Sequence, residues 1–146
     1  MTTRYDVPGL GSRLFNAPVR WLAERGVSIQ GSALLQVRGR SSGQVRAVVI
    51  NVLTVDGRDY VLSPRGNTQW ARNVRAAGEV RLGPRGNARP RRVVEIADDA
   101  KPALLRSYLQ RWHWEVKGIA GGLTPSSTED QLREVAPSIP VFELTD

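Results

Sequence analysis

Three arginines, two hydroxyls and two glycines fall within nine consecutive residues, Arg38-Gly39-Arg40-Ser41-Ser42-Gly43-Gln44-Val45-Arg46, between two apolar runs. This is the composition of an anion cradle. Glycine lets the backbone approach an oxyanion, hydroxyls donate hydrogen bonds, and guanidinium forks grip phosphate at two points. The residue types therefore point to a phosphate-bearing ligand. A second conspicuous cluster, Trp112-His113-Trp114, reads either as an aromatic wall over a substrate with His113 as proton donor, or as the end of a helix stripe. Trp21 reads as a pocket cap, a core residue or a membrane-surface contact.

The charge around the cradle is lopsided. From Arg38 to Arg92 there are twelve arginines against Asp56, Asp59 and Glu79, whereas from Val93 onward acids outnumber bases. Such a field favours a polyanionic partner: nucleic acid, a phosphorylated cofactor or an acidic substrate. Dispersed arginines on a solvated face are the plain alternative.

Composition removes several chemistries. The chain has 146 residues, 40% of them hydrophobic, which suits one domain over 1–146 with a real core. It has no cysteine and one histidine, which rules out thiol catalysis and cysteine-ligated metal and leaves little for a histidine metal site. Redox chemistry would have to come from a cofactor. The opening MTTRYDVPGL lacks an apolar signal core, and no run approaches the roughly 20 apolar residues of a membrane span. A cytoplasmic protein is expected, with peripheral membrane contact as an option.

The elements that would position the cradle alternate between strand and helix. A capped helix is predicted over 16–25, strands over 33–38 and 45–55, and an Asp56-Gly57 hairpin turn into a strand ending at Ser63. Thr68 caps a helix ending at Gly78, with Trp70, Val74 and Ala77 on one face. Strands follow at 79–83 and 88–96. A helix from Asp98 or Asp99 to Trp112 buries Leu104, Leu105, Tyr108, Leu109 and Trp112, and a last strand over 139–144 is expected at an edge because of Pro140. Asp98 and Asp99 read as helix-start acids. Residues 118–127 read as a loop, either a lid or a connector. The element order suggests the α+β class, with a small closed or split antiparallel β-barrel and flanking helices. A Rossmann unit is disfavoured because the basic turn leads into a strand and Gly39-x-x-x-Gly43 matches neither nucleotide fingerprint.

In this order, Gly39-Arg40-Ser41-Ser42-Gly43-x-x-Arg46, the Asp56-Gly57 hairpin, Ser63-x-Arg65-Gly66-Asn67 and Trp70-x-x-Asn73-x-Arg75, the chain resembles the deazaflavin (coenzyme F420)-dependent nitroreductase family from about Ser32 to Ile96. The resemblance implies a split antiparallel β-barrel of the FMN-binding kind with flanking helices, in which Arg40, Ser41, Ser42, Gly43 and Arg46 hold the coenzyme's phosphate. It further implies that Ser63, Pro64, Arg65 and Gly66 line the deazaflavin ring, and that Trp70, Asn73 and Arg75 lie beside the ring or its linker. The chain departs from the family pattern at Ser41, where a lysine is usual, at Pro64, where a serine is common at or nearby, and at Thr68-Gln69-Trp70, where a His-Pro-x-Trp sequence is usual.

The activity so implied is hydride transfer from reduced coenzyme F420 to a conjugated small-molecule acceptor such as a quinone, enone or nitro compound. Such a cofactor carries the difficult chemistry, which accounts for the lack of an obvious catalytic cluster. Trp21, Tyr108, Trp112, His113 and Trp114 are the candidate acceptor pocket. The proton donor stays open among Tyr108, Tyr60, Tyr5, His113 and solvent. FMN or haem on the same barrel type is the alternative cofactor reading, and a nucleic-acid-binding module is a further one that the missing recognition helix disfavours. A monomer and a homodimer are equally compatible with the sequence.

Overall fold

The computed structural model of the chain describes residues 32–83, 88–116 and 120–146, with side chains except at Ser32 and at 114–116. The helix expected over 16–25, with Trp21, lies outside the described residues, as do Tyr5 and the turn at 84–87.

Strands β1 (Ser32–Arg38), β2 (Val45–Val55) and β3 (Arg58–Leu62) run antiparallel, and helix α1 (Gln69–Ala77) follows. Strands β4 (Glu79–Leu82) and β5 (Arg89–Glu95) lead through a 3₁₀ turn at Asp98–Ala100 into helix α2 (Lys101–Val116). Helix α3 (Glu129–Val135), a second 3₁₀ turn at Ala136–Ser138 and strand β6 (Val141–Thr145) complete the order. The strands close into an antiparallel barrel in the order β1-β2-β3-β6-β5-β4. Closure is made where Leu35 and Gln36 of β1 pair with Leu82 and Arg81 of β4. The expected α+β split barrel with flanking helices is the architecture observed.

Strand alternation decides the two cores. Successive side chains on a strand point to opposite faces, so Leu35, Val37, Ile50, Val61, Phe142 and Leu144 fill the barrel interior, together with Ala71 and Val74 of α1. Residues of the other parity, Leu53, Tyr60, Leu62 and Val141, face outward and are covered by Leu105, Tyr108, Leu109 and Trp112 of α2 and Leu132 of α3. Each such aliphatic or aromatic side chain contributes roughly 1.5–3 kcal/mol by leaving water. The stripe expected on α2 is buried as predicted. At the β2–β3 hairpin Asp56 and Gly57 both have positive φ, 52° and 77°, the geometry that an Asp-Gly pair supplies.

Four expectations need correction. Strand β6 is not an edge: it pairs with β3 on one side and β5 on the other. Pro140 lies one residue before the strand, where its missing N–H interrupts no ladder and its carbonyl accepts from the Ser63 N–H at 3.0 Å. Ala77 is exposed, as are Arg75, Ala76 and Gly78 around it, and Ala71, Asn73 and Val74 take the buried places of α1. Helix α2 continues past Trp112 to Val116, with a break at Trp112 itself (φ −128°, ψ 21°). Helix α3 was not anticipated, although Thr128 and Gln131 form a capping box that marks its start. No helix among the described residues is long and apolar enough to cross a membrane.

Candidate functional site

The basic turn between β1 and β2 is closed by its own backbone. The Gly39 N–H donates to the Gln44 carbonyl at 2.7 Å and the Gly43 N–H to the Gly39 carbonyl at 3.0 Å. Arg38 Nη1 donates to the Gly43 carbonyl at 2.7 Å, and the Gln44 N–H to Ser42 Oγ at 3.1 Å. Two glycines make this possible. Gly43 has φ +72°, and a Cβ on Gly39 would sit 2.8 Å from Ser42 Oγ. Arg38 thus shapes the turn, while Arg40, Ser41, Ser42, Gly43 and Arg46 are exposed on it. Among the described residues no hydrogen bond or ion pair is formed by the Arg46 guanidinium.

Arg40 ties this turn to α1. Asn73 Oδ1 accepts from the Arg40 backbone N–H at 3.1 Å and from Nη1 at 2.8 Å, and Gln69 Oε1 accepts from Nη2 at 2.9 Å. The partners are 33 and 29 residues away in sequence. The two motifs singled out separately in the sequence therefore meet in space. Asn73 is buried, 7% exposed, so its carboxamide is a fixed anchor. Asn73 therefore joins the helix directly to Arg40 of the basic turn. Gln69 was not among the expected site residues, and only a folded structure shows what it holds.

The Ser63–Thr68 segment is a tight connection from β3 to α1. The Ser63 hydroxyl is 1% exposed, donates to the Gly66 carbonyl and lies 2.9 Å from Thr68 Oγ1. The Gly66 N–H donates to the Ser63 carbonyl, and the Thr68 N–H to the Gly66 carbonyl. Thr68 then caps α1 by accepting from the Ala71 N–H at 3.3 Å. Ser63 shapes this connection from within, leaving half-exposed Pro64 and Arg65 as its outward side chains. Trp70 is half-buried, its ring 6.5 Å from that of Phe142.

Arg75, at the other end of α1, has a different partner. Its Nε and Nη2 donate to the two oxygens of Glu95 at 2.9 and 2.8 Å, and Nη1 reaches Asn67 Oδ1 at 3.3 Å. Hydrogen bonding to Glu95 raises the guanidinium pKa above its ordinary value, burial opposes the rise, and the charge of the same carboxylate adds to it. Glu95 was missed in the sequence, where it appeared only as a residue near the end of a strand.

The expected acceptor-pocket residues occupy the outer core. Tyr108 and Trp112 are 5% and 0% exposed, their rings 5.0 Å apart, and the Arg111 guanidinium lies 4.5 Å over the Trp112 ring. His113 is half-exposed on the same helix, and the Trp114 side chain lies outside the described residues. A cavity of about 10 Å³ is lined by Tyr108 together with Leu62, Pro64, Leu105, Leu109, Ala120, Leu123 and Ile139. The described part of the 118–127 loop is pinned as a connector: Arg106 donates to the carbonyls of Pro125 and Ser127 at 2.9 and 2.7 Å.

This geometry has counterparts among known proteins. The chain is similar to the solved F420-H2 dependent reductase FDR-A, at 17% identity and TM-score 0.52, over 82% of this chain and 99% of that one. It is similar to a chain described as a domain-swapped dimer, at 16% identity and TM-score 0.53, over 92% and 98% of the two chains. It also matches the protein Atu2129 from Agrobacterium tumefaciens str. C58, of unknown function, at 17% identity and TM-score 0.51, covering 78% of this chain but only 47% of that one. These likenesses bear on the fold. No curated protein matches. The model of the F420H(2)-dependent quinone reductase family matches residues 13–116, well over half of the sequence, so the chain belongs to the F420H(2)-dependent quinone reductase family, a family of F420-dependent reductases, with coenzyme F420 as its cofactor.

Proposed function

We propose that this chain uses reduced coenzyme F420 to reduce a quinone, with enones and nitro compounds as further conjugated acceptors. The observation that carries the reading is the Arg40 contact with Gln69 and Asn73, which sets the basic turn against the start of the helix that follows the ring-lining segment. The residues present suit a phosphorylated, flat cofactor. Ser41 and Ser42 are exposed on a turn whose Gly39 leaves no room for a Cβ, Arg46 is exposed at the start of β2, and among the described residues no carboxylate contacts Arg40.

In this reading Arg40, Ser41, Ser42, Gly43 and Arg46 hold the coenzyme's phosphate. Pro64, Arg65, Gly66 and Trp70 line its ring, and Ser63 and Asn73 support these contacts from beneath. Arg75 acts through its link to Asn67 and Glu95. Coenzyme F420, when bound reduced, supplies the hydride. The protein's own work is to hold ring and acceptor face to face at about 3–3.5 Å and to keep that contact dry. A quinone that accepts one hydride needs one proton to become the hydroquinone. Tyr108, whose side chain shares a cavity wall with Pro64, is the proton-bearing group assigned to that end of the pocket. Trp112, His113, Trp114 and Trp21 complete the acceptor-side set, with Trp112 acting as the packing behind Tyr108.

Stopped-flow oxidation of the reduced, bound coenzyme against quinones, nitroaromatics and enones tests the proposal. Quinones should oxidise it fastest, and NADPH should not replace it. If no acceptor oxidises the bound coenzyme faster than the free coenzyme, the protein is a carrier and the reductase reading is wrong.

A further inference from the structure

Among the described residues, the acceptors around the Arg40 guanidinium are neutral amide oxygens. A carboxylate in the same positions would bind the guanidinium more strongly. The difference is electrostatic. An amide fixes the orientation of the fork and leaves the full positive charge, whereas a carboxylate fixes it and cancels the charge. Arg75, four residues beyond Ala71 on the same helix, shows the second arrangement, with both oxygens of Glu95 engaged.

We propose that Gln69 and Asn73 are positioning residues, which orient the Arg40 guanidinium for an anionic ligand while preserving its charge. The donor count supports this. A guanidinium has five N–H groups, and the two amide contacts use one on Nη1 and one on Nη2, so donors stay available for a phosphate oxygen pair. Asn73 Oδ1 takes a second bond from the Arg40 backbone N–H, which locks the base of the side chain as well as its tip. Asn73 is buried and Gln69 exposed, so one amide is a fixed post and the other an outer rail. Preorientation of this kind lowers the ordering cost of binding. The inference rests on the reading that the 39–46 turn holds the phosphate of coenzyme F420.

The test replaces Gln69→Glu, a change of near-identical shape that adds only a negative charge, alongside Gln69→Ala and Arg40→Ala. Two quantities are read: the thermal stability of the coenzyme-free protein, and the dissociation constant of coenzyme F420 from its fluorescence at low and high salt. Gln69→Glu should leave the protein at least as stable and weaken coenzyme binding tenfold or more, with the loss shrinking at high salt. Gln69→Ala, which loosens the fork without cancelling its charge, should weaken binding only a few-fold. A merely structural clamp gives the opposite result for binding: Gln69→Glu would leave coenzyme affinity unchanged or tighter, and that result overturns the inference. Arg40→Ala separates the two levels. If it weakens coenzyme binding while Gln69→Glu does not, the positioning role alone is wrong; if it has no effect on binding, the phosphate assignment falls with it.

Discussion

Two arginines stand at opposite flanks of α1, and the helix treats them differently. On one flank Arg40 arrives from the β1–β2 turn and is received by the amides of Gln69 and Asn73. On the other, Arg75 leaves the helix itself and is received by the carboxylate of Glu95 on β5, with both side chains 39% exposed. The first pairing keeps a net charge at the site. The second makes a near-neutral dipole whose field fades quickly with distance, and it joins a helix to a strand instead of reaching for a ligand. A count of arginines in the sequence treats the two alike; their partners among the described residues do not, since one meets neutral amides and the other a carboxylate.

The comparison breaks most severely if the helix loses its floor. Phe142, fully buried, lies under both the Trp70 ring and, at 6.0 Å, the Arg75 guanidinium. Phe142→Ala should cost about 3–5 kcal/mol in a denaturant titration, and coenzyme affinity should fall with it. A loss below about 1 kcal/mol would mean that α1 does not depend on this ring.

The next effect belongs to the cradle. Arg40→Ala or Arg46→Ala should each remove a charge-assisted contact and weaken coenzyme F420 binding by roughly 1.5–3 kcal/mol, about ten- to a hundredfold, with little change in melting temperature. Equal affinity in a folded double variant would dissolve the distinction between the flanks. Thr68→Ala should cost about 1 kcal/mol of stability by removing the cap of α1, measured by thermal melting. Because the cap sits at the Arg40 end of the helix, its loss should loosen coenzyme binding more than it disturbs the Arg75–Glu95 pair.

The smallest effect is the sharpest discriminator. Arg75→Ala should change stability by roughly 0.2–1 kcal/mol, as expected for a half-exposed ion pair, and should change coenzyme affinity less than Arg40→Ala does. Glu95→Gln leaves Arg75 in place and uncancelled. Coenzyme binding should then tighten a few-fold at low salt and return to the parent value at high salt. An unchanged affinity at low salt would show that Glu95 does not screen Arg75 from the ligand.

Much of this molecule was legible in the chain. The Asp56-Gly57 hairpin, the Thr68 cap, the Gly78 stop and the buried stripe of α2 are local signals, and each appears where it was expected. Helix α3 was passed over because seven residues carry too few turns for a periodic signal, and its capping box was the only marker. Pro140 misled in a different way. Its chemistry was read correctly, but a shift of one residue places it just outside the β6 ladder, and strand ends are not marked that finely. For the site, Arg40 and Asn73 were both singled out, yet as separate motifs with separate roles, and Gln69 and Glu95 were not singled out as site residues at all.

The sequence by itself determined the strand and helix pattern, the glycine-dependent turn and the local surplus of positive charge, because backbone preferences and charge are properties of neighbours in the chain. Which arginine has its charge offset by a carboxylate was decided only by the tertiary structure. Barrel closure brings Arg40 to Asn73 across 33 residues and sets Glu95 beside Arg75 across 20. Whether a guanidinium meets an amide or a carboxylate depends on such long-range pairings, and with them its readiness to bind an anion.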